Sequence, residues 1–178
     1  MDIVKLCLDM GATKAEEIEV SKLVLMPELR EFCVQNACGM YGQNHTCPPL
    51  VGDIEKLISD LGKYEKAVIW QNIYPLEDSF DFEGMMDGKL KHDVMTYKIA
   101  EILQEDGGFN DMLILGAGGC TLCDTCGAKS SQPCLNPKKA LSSLEAYGIN
   151  VSKIEDITDM KYINGVNTVS YFSGAFYN

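Results

Sequence analysis

Eight cysteines lie in a chain of 178 residues, and most of them fall in two short stretches. The tighter stretch is Cys120-Thr-Leu-Cys123-Asp-Thr-Cys126 followed by Cys134, a C-x2-C-x2-C-x7-C pattern. Two-residue spacers let one loop wrap a cubane, so that three thiolates reach three different irons, as in the bacterial ferredoxin run. That run closes after three more residues with Cys-Pro. Here the gap is seven and the nearest prolines are Pro133 and Pro137, which leaves the fourth ligand open. Gly116-Ala117-Gly118-Gly119 leads into the run. Glycine lets the backbone approach sulfur closely and aim N–H groups at it. The same glycines lack the dinucleotide-binding spacing and the Walker Lys-Ser/Thr pair, which argues against a phosphate loop.

The second stretch is Cys33-x4-Cys38-x8-Cys47-Pro48-Pro49, with Gly39, Tyr41, Gly42, Asn44 and His45 inside it. Three cysteines on a turn-rich loop have the look of ligands. Cys33 also suits a core position, on an apolar helix face with Phe32, because free cysteine is often buried. Cys38 and Cys47 lie among polar residues and suit a core poorly. Zinc is the rival metal and would make the chain a structural zinc-binding module, but four-cysteine zinc sites pair two C-x2-C knuckles across a longer gap.

Seven cysteines do not divide into two sets of four. In one arrangement Cys120, Cys123, Cys126 and Cys134 hold one [4Fe-4S] cluster. Cys33, Cys38 and Cys47 then hold a second, with one iron open to solvent, substrate or a residue such as His45. In another, Cys47 completes the Cys120 cluster; in a third there is a single cluster. Cys7 shares an apolar stripe with Ile3 and Met10 and reads as core. His92 sits on a charged segment and reads as solvated. Glu77, Asp78, Asp81 and Glu83 read as a soluble loop, and Asp106 and Asp111 as the flanks of a turn. No Ser-His-Asp arrangement stands out, and a Cys47–His45 nucleophile is a remote reading.

Periodicity supplies the elements that must carry these loops. Residues 2–10 read as a helix stopped by Gly11, residues 18–26 as a strand, and Pro27 as the opening of a helix. A Gly-, Asn- and Pro-rich loop covers 36–50. Val51, Ile54, Leu57, Ile58 and Leu61 mark the next helix, and Lys66 to Tyr74 a buried strand. Residues 75–88 read as an exposed loop, followed by a helix to about Glu105. Met112–Leu115 is a strand, Asn136-Pro137 opens a helix ending at Gly148, and 168–176 is the last strand. The expected class is α/β or α+β: one layer of mixed sheet with helices packed on it and two cysteine-rich loops. Residues 1–178 are expected to form a single metal-binding domain.

The formal charge of −11 disfavours a phosphate backbone, so nucleic acid is not an expected partner. Apolar runs such as Met112 to Gly119 are too short for a bilayer, and a basic-then-apolar leader is not evident. The expectation is therefore a cytoplasmic chain with no membrane partner. Clustered cysteines without an export signal favour metal over disulfides.

Taken together, Cys33-x4-Cys38-Gly-Met-Tyr-Gly-x4-Cys47-Pro-Pro and Cys120-x2-Cys123-x2-Cys126-x7-Cys134 resemble a family of uncharacterised predicted metal-binding proteins. Its members are found chiefly in anaerobic bacteria and archaea (domain of unknown function 2284). The resemblance runs from about residue 12 onward. It implies metal binding through these cysteines and no settled substrate. Three roles follow as expectations. One is an electron-transfer module with one or two [4Fe-4S] clusters and a redox partner protein. Another is an enzyme whose open iron binds a small-molecule ligand at a pocket lined by Tyr41, Asn44 and His45. The third is a protein that delivers metal or clusters. A radical S-adenosylmethionine enzyme is disfavoured, because the C-x3-C-x2-C run is absent.

Overall fold

The computed structural model describes residues 1–106 and 111–178. The turn expected between Asp106 and Asp111 falls mostly outside them. Four strands form one sheet: β1 (Lys14–Glu19), β2 (Lys66–Pro75), β3 (Leu113–Leu115) and β4 (Thr168–Tyr177). Their order is β1-β2-β4-β3 and every pairing is antiparallel. Among the described residues a parallel pairing occurs only as the isolated bridge Gly116–Ser143, so the expected mixed sheet is corrected to an antiparallel one. The architecture is a sheet with helices packed on it.

Four α-helices are described: α1 (Ile3–Asp9), α2 (Leu29–Val34), α3 (Ile54–Leu61) and α4 (Phe82–Asp106). Side-chain caps fix where several begin. Asp2 accepts from the Lys5 N–H at the start of α1, and Asp53 from the Lys56 N–H at the start of α3. Asp81 accepts from the Gly84 N–H at 2.8 Å. That cap starts α4 at Phe82, so the last residues of the expected 75–88 loop are helical.

Two expected elements change. The strand predicted over 18–26 leaves the sheet after Glu19 through a 3-10 turn at Val20–Lys22. Its second half instead runs beside 148–150, with the Met26 N–H donating to Gly148 O and the Asn150 N–H to Val24 O. The helix predicted from Asn136 to Gly148 is a single turn at its start and a 3-10 turn, Glu145–Tyr147, at its end. Between them the chain is extended. The Gly116 N–H donates to Ser142 O and the Leu144 N–H to Gly116 O, and Leu141 and Leu144 are buried. Pairing with the end of β3 and burying two leucines outweighs a capping signal worth about 1 kcal/mol.

Alternation along β2 and β4 sends side chains to both faces of the sheet. Ala67, Ile69, Phe172 and Phe176 pack on one face with Leu61, Leu144, Ile149, Ile154 and Met160. Val68, Trp70 and Ala175 pack on the other with Ile3 and Cys7 of α1 and Ile99 and Leu103 of α4. Cys7 is core, as expected, and burial pushes its thiol up to about 12.

His92 is fully buried, which corrects the solvated position expected of it. It anchors α4 to the sheet through a directed hydrogen-bond chain. Trp70 Nε1–H donates to Thr96 Oγ1 at 3.3 Å, and Thr96 donates to Ser173 Oγ at 3.3 Å. Ser173 donates to His92 Nε2 at 2.7 Å, and His92 Nδ1–H donates to Asn72 Oδ1 at 2.8 Å. An amide oxygen only accepts, so the neutral ring carries its proton on Nδ1. A second proton on Nε2 would force Ser173 to accept there and give up its own donor role. Burial, with Lys89 adding to it, lowers the His92 pKa to about 3.

Below the ordinary histidine pKa of about 6.5 the unfolded chain takes up a proton that the native chain refuses. Stability should therefore fall as pH drops from about 6.5 towards about 3, by an upper limit of roughly 5 kcal/mol from this group. Urea midpoints of the wild type and His92→Asn, compared at pH 7, 5 and 4, should converge as pH falls. Parallel profiles would contradict a buried neutral ring.

Candidate metal centre

The two cysteine-bearing loops close on each other at one end of the sheet. The first, between α2 and α3, is folded by successive turns. Asn36, at φ +55°, accepts from the Gly39 N–H through its carbonyl and from the Tyr41 N–H through its side chain. The second leaves β3 through Gly116–Gly119 and includes a 3-10 turn at Gly127–Ser130 between Cys126 and Cys134.

Asn44 and Thr46, both buried, rivet the loops together. Asn44 Nδ2 donates to Cys120 O at 3.0 Å, and the Cys120 N–H donates to Thr46 Oγ1 at 3.2 Å. Thr46 Oγ1 in turn donates to Asn44 Oδ1 at 3.0 Å. Across the same seam His45 Nε2–H donates to Gln132 O at 2.8 Å. His45 thus faces the second run of cysteines and bridges the loops.

Gly119 is a point of close approach between the loops. A Cβ there would lie 3.3 Å from Cys47 Sγ and 3.3 Å from Asn44 Nδ2. Of the glycines ahead of Cys120, Gly119 therefore gives room for sulfur, but the sulfur belongs to the first run. Burial pushes the Cys47 thiol up to about 11, with Cys38, Cys33 and Cys120 adding to the shift and a Thr46 hydrogen bond opposing it. Cys47 accordingly stands at the junction between the two runs. Burial also raises the Cys33 thiol; Arg30 opposes that, and Cys38 and Glu145 add to it. Arg30 donates to Gly52 O and Ala146 O, tying α2 to the Glu145–Tyr147 turn. Phe32, expected beside Cys33 on an apolar face, is 66% exposed.

Cys120, Cys123, Cys126 and Cys134 line one small cleft, of about 20 Å³, with Asn44, His45, Thr46 and Asn136. The pocket expected at the Cys33–Cys47 loop is not this one: the cleft is lined by the second run, Asn44 and His45 reach into it from the first loop, and Tyr41 is not among the lining residues. Among the described residues no three His, Cys, Asp or Glu side chains are gathered tightly enough to hold one metal ion. All eight cysteines are free thiols.

Residues outside both motifs complete the surroundings. Tyr97 Oη donates to Cys120 Sγ at 3.4 Å and Asn136 Nδ2 to Cys123 Sγ at 3.5 Å. Burial and the adjacent Cys120 hold the Tyr97 phenol above its ordinary range, so it stays protonated as a donor. One turn apart on α4, Lys89 and Asp93 form a largely buried ion pair. Thr121 Oγ1 donates to Asp93 Oδ2 at 2.6 Å, and Lys89 Nζ reaches Gly119 O at 3.4 Å. Lys89, Asp93 and Tyr97 recur every four residues, so one stripe of α4 faces the second loop. That spacing was readable in the sequence; which loop the stripe serves was not. Asn136, taken as a helix cap, spends its amide on a cysteine sulfur instead.

The donor set suits a thiophilic metal group: free thiols around an open cleft, with N–H and O–H donors directed at two sulfurs. Crowding the seam tests the arrangement. Gly119→Val should lower bound metal per chain at least several-fold while leaving the far-ultraviolet circular dichroism unchanged. Full metal occupancy in this variant would mean that the Cys47–Gly119 contact is not part of the centre.

No curated protein and no solved structure matches this chain. Residues 16–177 match the model of the family described as predicted metal-binding protein (DUF2284), and the chain belongs to that family.

Proposed function

We propose that the chain is an iron–sulfur protein that carries electrons, with Cys120, Cys123, Cys126 and Cys134 as ligands of one [4Fe-4S] cluster. The observation behind this reading is the single cleft lined by those four cysteines, with hydrogen-bond donors on two of the sulfurs. A cubane takes each thiolate on a different iron, so its ligands stand around a volume rather than converge on one point. When bound, such a cluster supplies one-electron transfer. The chain's own part is to hold the thiolates, aim donors at them and limit access of water.

Cys33, Cys38 and Cys47 are assigned to a second cluster beside the first. Cys7, the one remaining thiol, is fully buried in the core and is not available to complete it. That count favours a second reading, in which the iron left open binds a small molecule. Phe32, Val34 and Leu135 are exposed next to Cys33 and Cys134. Exposed apolar side chains beside both runs, on a chain of net charge −11, fit a redox partner protein with a basic face.

Anaerobic purification followed by iron, acid-labile sulfide and zinc analysis is the direct test. About eight irons and eight sulfides per chain correspond to two cubanes, and about four of each to one. Cys123→Ser and Cys134→Ser should each remove the second-run share. Zinc without sulfide would overturn the proposal.

A finer test uses Tyr97. A donor to a ligating sulfur stabilises the more negative reduced cluster and so raises its potential. Tyr97→Phe, followed by a potentiometric titration, should shift one midpoint downward with iron content unchanged. An unchanged midpoint would remove Tyr97 from the centre.

A further inference from the structure

The longest helix among the described residues turns an apolar ridge to solvent, beside the stripe that faces the second cysteine loop. Phe82, Met86, Leu90 and Val94 recur every four residues along α4 and are 72, 59, 49 and 55% exposed. Phe80, just ahead of the helix, is 81% exposed. Residues four apart form one ridge of a helix, the unit that packs into the groove of another helix. The opposite face of α4 is already committed to the sheet through His92, Thr96, Ile99 and Leu103.

Area and charge indicate what covers this ridge. Phe80 and Phe82 together expose on the order of 300 Å². Adding Met86, Leu90 and Val94 brings the stripe to several hundred Å², beyond the scattered apolar surface of an ordinary monomer and near one partner's share of a small stable interface. The turn holding Ile163 and Val166 adjoins it. The Leu76 N–H donates to Asn167 O and Ser79 Oγ to Asn167 Oδ1, joining that turn to the Phe80 loop. Ile163 and Val166 are 77 and 89% exposed.

Charge is divided along the same helix. Asp81, Glu83 and Asp87 lie at the start of the ridge and the exposed Lys91 near its end, with Lys98 and then the exposed Glu101, Glu105 and Asp106 farther along the helix. Asp87 and Lys91 pair with each other, both at 62% side-chain exposure, and such exposed pairs exchange partners at little cost. A two-fold axis between Met86 and Leu90 sets Lys91 of one ridge opposite position 85 of its copy, between Glu83 and Asp87. A single self-complementary patch of this kind is what a symmetric dimer requires.

We propose that the outer face of α4 is a homodimer interface, with the Phe82–Val94 ridge of one protomer packed against the same ridge of its partner. Light scattering on size-exclusion eluate of the metal-loaded protein, loaded near 100 μM, should give twice the chain mass. Met86→Lys and Leu90→Glu should each return the mass to one chain with the melting transition and metal content retained. A wild type of one chain mass overturns the proposal. So does a dimer that survives both substitutions, which would place the interface elsewhere, and so does a stable complex with another protein that displaces self-association at this ridge. None of these outcomes depends on which metal the cysteines hold.

Discussion

The hydrogen-bond chain from Trp70 through Thr96 and Ser173 to His92 and Asn72 determines where α4 lies, and the cysteine centre depends on α4. Each buried donor in that chain meets one acceptor in a fixed direction, so the helix has one satisfied rotation about its axis. A slip along the sheet would strand several polar groups at a cost of about 1–3 kcal/mol each. With the rotation set, Lys89, Asp93 and Tyr97 are presented together to the second loop. The neighbouring stripe, Phe82 to Val94, is then necessarily turned outward.

The loops themselves contain little regular structure, and their shape is held by side chains. Asn44 and Thr46 exchange hydrogen bonds with the backbone of Cys120, and Thr121 reaches the Lys89–Asp93 pair. A largely buried ion pair contributes little net stability against an apolar alternative, yet losing one partner costs about 3–5 kcal/mol. Its value here is positional: it pins the residue after Cys120 to the rigid helix. Rigid support for a thiol-lined cleft counts for most where the thiolates would otherwise repel one another.

Much of this was legible in the sequence, and the misses share a cause. The buried runs of β2 and β4 declared themselves by composition, as did both cysteine loops and the core position of Cys7. Local signals failed where distant segments supplied the deciding interaction. Asn136-Pro137 is a sound helix start, but residues 141–144 pair with Gly116 and bury two leucines. His92 looks solvated between Lys91 and Asp93, because its partners come from β2 and β4. Tyr97 and Thr46 carry no motif; only their contacts with Cys120 mark them. The meeting of Cys47 with Gly119 joins two runs that spacing alone treats as separate.

Strand order also bears on how the chain reaches this state. β4 comes last along the sequence yet lies between β2 and β3, so β3 has no place in the sheet until β4 arrives. Both cysteine runs precede β4. During synthesis the thiols therefore leave the ribosome before the platform that spaces them exists, and the sheet closes through pairings of long sequence separation, which form slowly. Metal offered early meets a pliable set of thiolates able to bind in several groupings. Metal offered after β4 has docked meets a framework that has already chosen among them. On the proposed assignment, the order of folding and loading thus becomes a determinant of which cysteines share a metal.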